Sequence, residues 1–137
     1  MNVIEKVKEI LQNFPKINEV CNEINVDFTD TEPTSYGLAP TGDELISEDI
    51  LGNQKRQHSF ILHATYSGIN DYERLSNSGV LLELSQYLDR LDEQAIDNGI
   101  ITKIRATNGM LYEIPEENYS DGIKYQLTIV ASYTIEI

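Results

Sequence analysis

Tryptophan is absent from this 137-residue chain, and cysteine occurs once. No stretch approaches the roughly 20 consecutive apolar residues of a membrane-spanning helix. A lone Cys21 excludes an internal disulfide and any site built from several cysteines, fits a reducing compartment, and reads as a small buried hydrophobe. The only two histidines, His58 and His63, lie an odd number of positions apart on one stretch of strand-like sequence. They therefore face opposite sides and cannot share a metal ion. No Ser or Cys nucleophile has a recognisable histidine partner. The carboxylates do not follow the Asp-x-Asp-x-Asp-Gly spacing of a calcium loop, and Gly99 and Gly109 read as turn glycines, not as part of a phosphate cradle. The expectation is a protein that is not an enzyme and holds no cofactor or metal.

Positive charge is scarce as well. Ten Lys and Arg stand against 23 Asp and Glu, a formal net charge of -13. Such a balance disfavours sequence-independent attraction of the whole domain to nucleic-acid phosphates. A wall past which DNA slides stays compatible with it, because weak repulsion keeps the polymer from sticking. Residues 1–14 scatter their charges where a signal peptide would place a basic segment before an apolar run, so synthesis in the cytosol is expected.

What is present suits one globular domain: 40% hydrophobic residues, with eight Tyr and three Phe. Val3, Ile4, Val7, Ile10, Leu11 and Phe14 make one helical stripe, and Pro15 stops the helix near Asn13 or Phe14. Ile24, Val26 and Phe28 alternate as a short strand. From residue 29 to 55 no period holds, prolines and glycines recur, and Asp and Glu cluster, which reads as a long acidic loop. Phe60, Leu62, Ala64 and Tyr66 then alternate with polar partners over a long strand.

Asn70 is placed to cap a second helix that runs to about Ala95 through Tyr72, Leu75, Val80, Leu81, Leu84, Leu88 and Leu91. Ser78-Gly79 marks a point where it kinks or divides. Three strands follow, over residues 101–107, 111–114 and 123–135. The turns between them fall at Asn108-Gly109 and in an acidic stretch around 116–122. The whole predicts an α+β domain: a mostly antiparallel sheet of four to five strands, two main helices on one face, and the long acidic loop at 29–55.

A loop of that length is where partner contacts are expected, and its apolar pairs Leu38-Ala39 and Leu45-Ile46 have little reason to exist in purely solvated chain. Tyr36, Leu38, Leu45 and Ile46 are the apolar interface candidates. Lys55, Arg56, Lys103 and Arg105 are the basic ones, suited either to salt bridges between subunits or to local pairing within one subunit. Deleting 41–49 is expected to leave the fold intact but to impair assembly.

Several collinear pieces resemble a family of phage and prophage proteins of Firmicutes, described as minor capsid or tail terminator proteins. They are Asn25-Val26-Asp27-Phe28, Pro33-Thr34-Ser35-Tyr36-Gly37-Leu38-Ala39-Pro40-Thr41, Arg56-Gln57-His58-Ser59-Phe60, Tyr72-Glu73-Arg74-Leu75-Ser76-Asn77-Ser78-Gly79, Lys103-Ile104-Arg105-Ala106-Thr107-Asn108-Gly109-Met110-Leu111-Tyr112 and Lys124-Tyr125-Gln126-Leu127. The resemblance implies a virion protein at the head–tail junction, a hexameric ring that caps the tail tube, stops its polymerisation and provides the head-joining surface. Its implied partners are further copies of the chain, the tail tube protein, a head-completion or connector protein, and a sheath where the tail is contractile. DNA would only pass through the lumen, and no membrane is involved. The acidic turn with Glu116, Glu117 and Asp121 would then face the lumen or the head. The competing reading is a small acidic inhibitor or immunity-type protein that occupies a basic site on its target.

Overall fold

Asn2 opens the first helix. Its side chain accepts a hydrogen bond from the Glu5 backbone N–H at 2.9 Å, and the Glu5 carboxylate accepts one from the Asn2 N–H at 3.3 Å. This reciprocal box satisfies two of the donors that a helix start leaves orphaned. The computed structural model describes residues 1–18, 24–26, 35–66, 71–113 and 123–136, with backbone alone at 18, 25, 26, 35, 66, 71–78, 108–113 and 123. Helix α1 spans Val3–Gln12 and buries Val3, Val7, Ile10 and Leu11, the stripe expected from their spacing. Pro15 ends it but also begins a four-residue helix, α2 (Pro15–Asn18), because a proline ring is preset for a first helical turn.

The strands are β1 (Asn25–Val26), β2 (Ser35–Glu48), β3 (Gln54–Tyr66), β4 (Gln94–Ile96), β5 (Gly99–Glu113) and β6 (Ile123–Ile135), with helix α3 (Asp71–Asp89) between β3 and β4. They form one sheet in the order β1-β2-β3-β6-β5-β4, antiparallel at every junction except β1 with β2. The α+β class with a mostly antiparallel sheet is as expected. Two short strands, β1 and β4, flank the four long ones.

Alternation along the strands sends one set of side chains to the helices. Leu38, Leu62 and Leu127 stand in register across three strands, beside the row Tyr36, Ala64 and Tyr125. All six are buried. Leu81, Leu84 and Leu88 of α3 close over them together with Val7, Leu11 and Ile17. Phe14 packs its ring on Tyr87 at 5.1 Å, and Lys16 bonds Glu83 at 2.7 Å, so the helices also hold one another. Each fully buried Leu contributes roughly 2 kcal/mol from removal of apolar surface from water.

Four expectations are corrected. The acidic loop at 29–55 is, over Ser35–Glu48, a strand. Two register shifts, between Pro40 and Gly42 and between Leu45 and Ser47, break the two-residue period and disguise it. The second helix ends at Asp89, not near Ala95, because Gln94–Ile96 pairs with Ile101–Gly99 across the Asp97-Asn98 turn, where Asn98 takes a φ of 58°. Asn108-Gly109 is no hairpin turn: β5 runs continuously through it, with a register shift between Thr107 and Met110. Helix α3 likewise passes unbroken through Gly79. Asn70, Cys21 and the turn around 116–122 lie outside the described residues.

Candidate functional site

Strand β1 covers β2 only at Gly37 and Leu38. From Ala39 to Glu48 no strand pairs with the outer side of β2 among the described residues, so this edge presents unpaired backbone donors and acceptors. Pro40 is tolerated there because an edge strand can spare one N–H. The bulge that follows adds to the devices by which edges are kept from pairing indiscriminately.

At the end of the hairpin the carboxylate of Asp49 builds the turn. It accepts hydrogen bonds from the backbone N–H groups of Leu51 at 2.9 Å and Asn53 at 3.0 Å, and from the Asn53 amide at 3.1 Å. Gly52 supplies the positive φ of 91° that the turn requires. What burial there is raises the Asp49 pKa, but these hydrogen bonds outweigh it and hold the carboxyl below its usual range. The fixed turn points its apolar residues outward: Ile50 is fully exposed and Leu51 77% exposed. Leu45 and Ile46, at 44% and 51%, are exposed further back along β2, Leu45 opposite Arg56 on the helix side and Ile46 beside Lys55 on the other. A surface hydrophobe standing alone needs no explanation, but several exposed around one hairpin end, beside an edge unpaired among the described residues, make this the candidate site.

Beneath the tip, on the helix side of the sheet, lies a polar clamp. Arg56 Nε donates to Asp43 Oδ2 at 2.8 Å and its Nη1 to Gln54 Oε1 at 2.8 Å, while the Tyr133 hydroxyl donates to Asp43 Oδ1 at 2.5 Å. Burial raises the pKa of Asp43, yet the hydrogen bonds from Tyr133 and Arg56 and the Arg56 charge hold it below the ordinary carboxylate value. Burial and the neighbouring Asp43 push the Tyr133 phenol up to about 12. A protonated phenol beside an ionised carboxylate and a guanidinium is a mutually satisfied set. His58 is buried beside it and stacks on Phe60 at 4.4 Å. His63 faces the other side of the sheet, where burial and the Lys124 charge lower its pKa. Among the described residues no three His, Cys, Asp or Glu side chains come together.

The structure divides the residues singled out from the sequence. Ile46 and Lys55 line one depression of about 300 Å³ with Thr102, Ser132 and Thr134, while Leu45 stands opposite Arg56 on the helix side. Arg56 belongs to the clamp and pairs within its own subunit. Lys103 and Arg105 are exposed on the outer sheet face. Tyr36 and Leu38 are not surface residues: each is 1% exposed, because β2 starts at Ser35 and both point into the core. Glu116, Glu117 and Asp121 lie outside the described residues. Sequence reasoning missed Ile50, Leu51, Asp43 and Tyr133. The run Asp49-Ile50-Leu51-Gly52-Asn53, with an Asp and a Gly in turn positions between two apolar stretches, was the available signal.

No protein-family model matches the chain, and no curated protein matches it.

Proposed function

We propose that this chain is a structural subunit of a phage tail or tail-like particle, the terminator that forms a ring on the end of the tail tube. One observation carries the reading: a long β2 edge, unpaired from Ala39 onward among the described residues, ends in a turn built by Asp49, with Leu45, Ile46, Ile50 and Leu51 exposed around it. Open edges and exposed apolar tips are costly on a solitary molecule and useful on one that is completed by neighbours. The collinear resemblance to tail terminator proteins names the assembly, and the acidic balance suits a ring through which DNA passes. Terminating a tube requires one surface that accepts the tube subunit and another that refuses the next one.

The test is electron cryo-microscopy and mass photometry of the purified chain mixed with tubes of its tail tube protein. Rings of six copies at tube ends are the expected result, and an Ile50→Ser/Leu51→Ser variant should melt like the parent but leave tube ends bare. A chain that stays monomeric and never caps a tube overturns the reading and returns the field to the acidic inhibitor, for which binding to a basic partner would then be sought.

A further inference from the structure

The side of the sheet away from the helices carries charge of the minority sign. On it Lys55 stands opposite Thr134, Lys103 opposite Ser132 and Arg105 opposite Val130, so three cations flank a floor supplied by β6. All three are exposed, and none makes an ion pair among the described residues. Glu44, one strand further out opposite Gln57, and Glu136, at the strand end, stand at the rim. The floor between the cations mixes Thr102, Ser132 and Thr134 with Ile46 and Val130. Thr102 lies along it, donating its hydroxyl to the Ser132 carbonyl at 3.1 Å.

The helix side of the molecule, at the β4 edge, has the opposite character. Asp89, Asp92 and Glu93 are exposed where α3 gives way to β4, with Arg90 as the only cation between them. None of the three carboxylates takes part in an ion pair among the described residues.

We infer that the cationic trough of Lys55, Lys103 and Arg105 docks the α3–β4 corner of a second copy, with Asp89, Asp92 and Glu93 as the matching charges. The inference rests on the ring reading and says which surfaces would make the ring. Two copies of a chain with net charge -13 repel in most mutual orientations. The orientation that sets the trough against the acidic corner offsets part of this repulsion, and both halves of the match reside on one chain. Because they sit on opposite sides of the sheet, the contact is head-to-tail. Such an interface closes into a ring when its rotation permits and otherwise extends.

The experiment uses the full chain in three forms and reads self-association by sedimentation velocity, alone and on tube ends, over a salt series. The difference between the parent and the charge-reversed chain should shrink as salt rises. The reversal K55E/K103E/R105E should weaken association by roughly tenfold or more. A chain that combines this reversal with D89K/D92K/E93K should recover it. Far-ultraviolet circular dichroism melts serve as the folding control, and since all six positions are exposed the melts should coincide. Association that survives the reversal overturns the inference and leaves the ring reading standing. Loss upon reversal without recovery in the combined variant also overturns it, because the trough then serves some other acidic surface. A parent chain that never associates, with or without tubes, overturns both.

Discussion

The Tyr133 hydroxyl reaches Asp43 at 2.5 Å although 90 positions separate the two residues in the chain. Tyr133 lies on β6 opposite Arg56, and Asp43 on β2 opposite His58, so the phenol bridges the whole width of β3, two strand spacings or about 10 Å. The bond joins the open edge strand to the centre of the sheet by a side chain as well as by the ladder. Replacing Tyr133 by Phe keeps the ring and removes the donor. A loss of about 1 kcal/mol is expected, read as a lower urea midpoint at unchanged slope.

The same pair sets a pH dependence at both extremes. The folded pKa of Asp43 is depressed, so its contribution is present above its unfolded value of 3.8 and is lost as the pH falls below it. Tyr133 moves the other way, from 10.0 to about 12, so its contribution is complete below pH 10 and is lost as the pH climbs through that interval. Stability measured against pH should therefore decline on the alkaline side between these values, and Tyr133→Phe should remove that decline while its acid limb becomes shallower.

Leu62 sits between Leu38 and Leu127 in the middle of the sheet and has no exposed surface. Strands on both sides hold the site open, so a truncated side chain leaves a cavity that cannot collapse. Leu62→Ala should cost about 3 kcal/mol in chemical denaturation. A cost below 1 kcal/mol would mean that the helices settle into the gap.

Two glycines should respond oppositely to alanine. A Cβ at Gly99 would lie 1.8 Å from the Thr134 carbonyl oxygen, where strand β5 begins against β6. Gly99→Ala should force the strands apart there, at a cost on the order of 2 kcal/mol, with faster amide exchange near Thr134 as the local sign. A Cβ at Gly79, inside α3, would meet nothing within 4 Å. Gly79→Ala should raise stability by about 0.5–1 kcal/mol through reduced backbone freedom in the unfolded chain.

Where burial followed a regular period, the sequence was readable. The stripe of α1 and the alternation of β6, from Tyr125 to Tyr133, emerged from spacing alone because each element puts one clean face on the core. Strand β2 stayed hidden for a local reason. Its bulges at Pro40/Gly42 and Leu45/Ser47 each shift the period by one residue, and its composition is that of an edge, rich in acid, proline and glycine. Strand β5 was cut in two by the same cause, a register shift beside Asn108-Gly109 that imitates a turn. The site was half legible: Leu45 and Ile46 were visible as apolar residues in polar surroundings, whereas Tyr36 and Leu38 looked the same and proved to be core. No local pattern announces the clamp, because Asp43 and Tyr133 meet only when β2, β3 and β6 lie side by side.

The strand at the centre of this sheet is the last of the six in chain order. Until β6 is inserted between β3 and β5, each of those strands has an unpaired inner edge and a bare row of Leu, Ile and Phe side chains, and the sheet exists only as two separate halves. Folding must therefore wait for a pairing such as Gln54 with Ile135, among the longest loop closures in the molecule. The same order makes the nascent chain vulnerable. A product of premature termination between residues 113 and 123 carries these two sticky edges and lacks the strand that seals them.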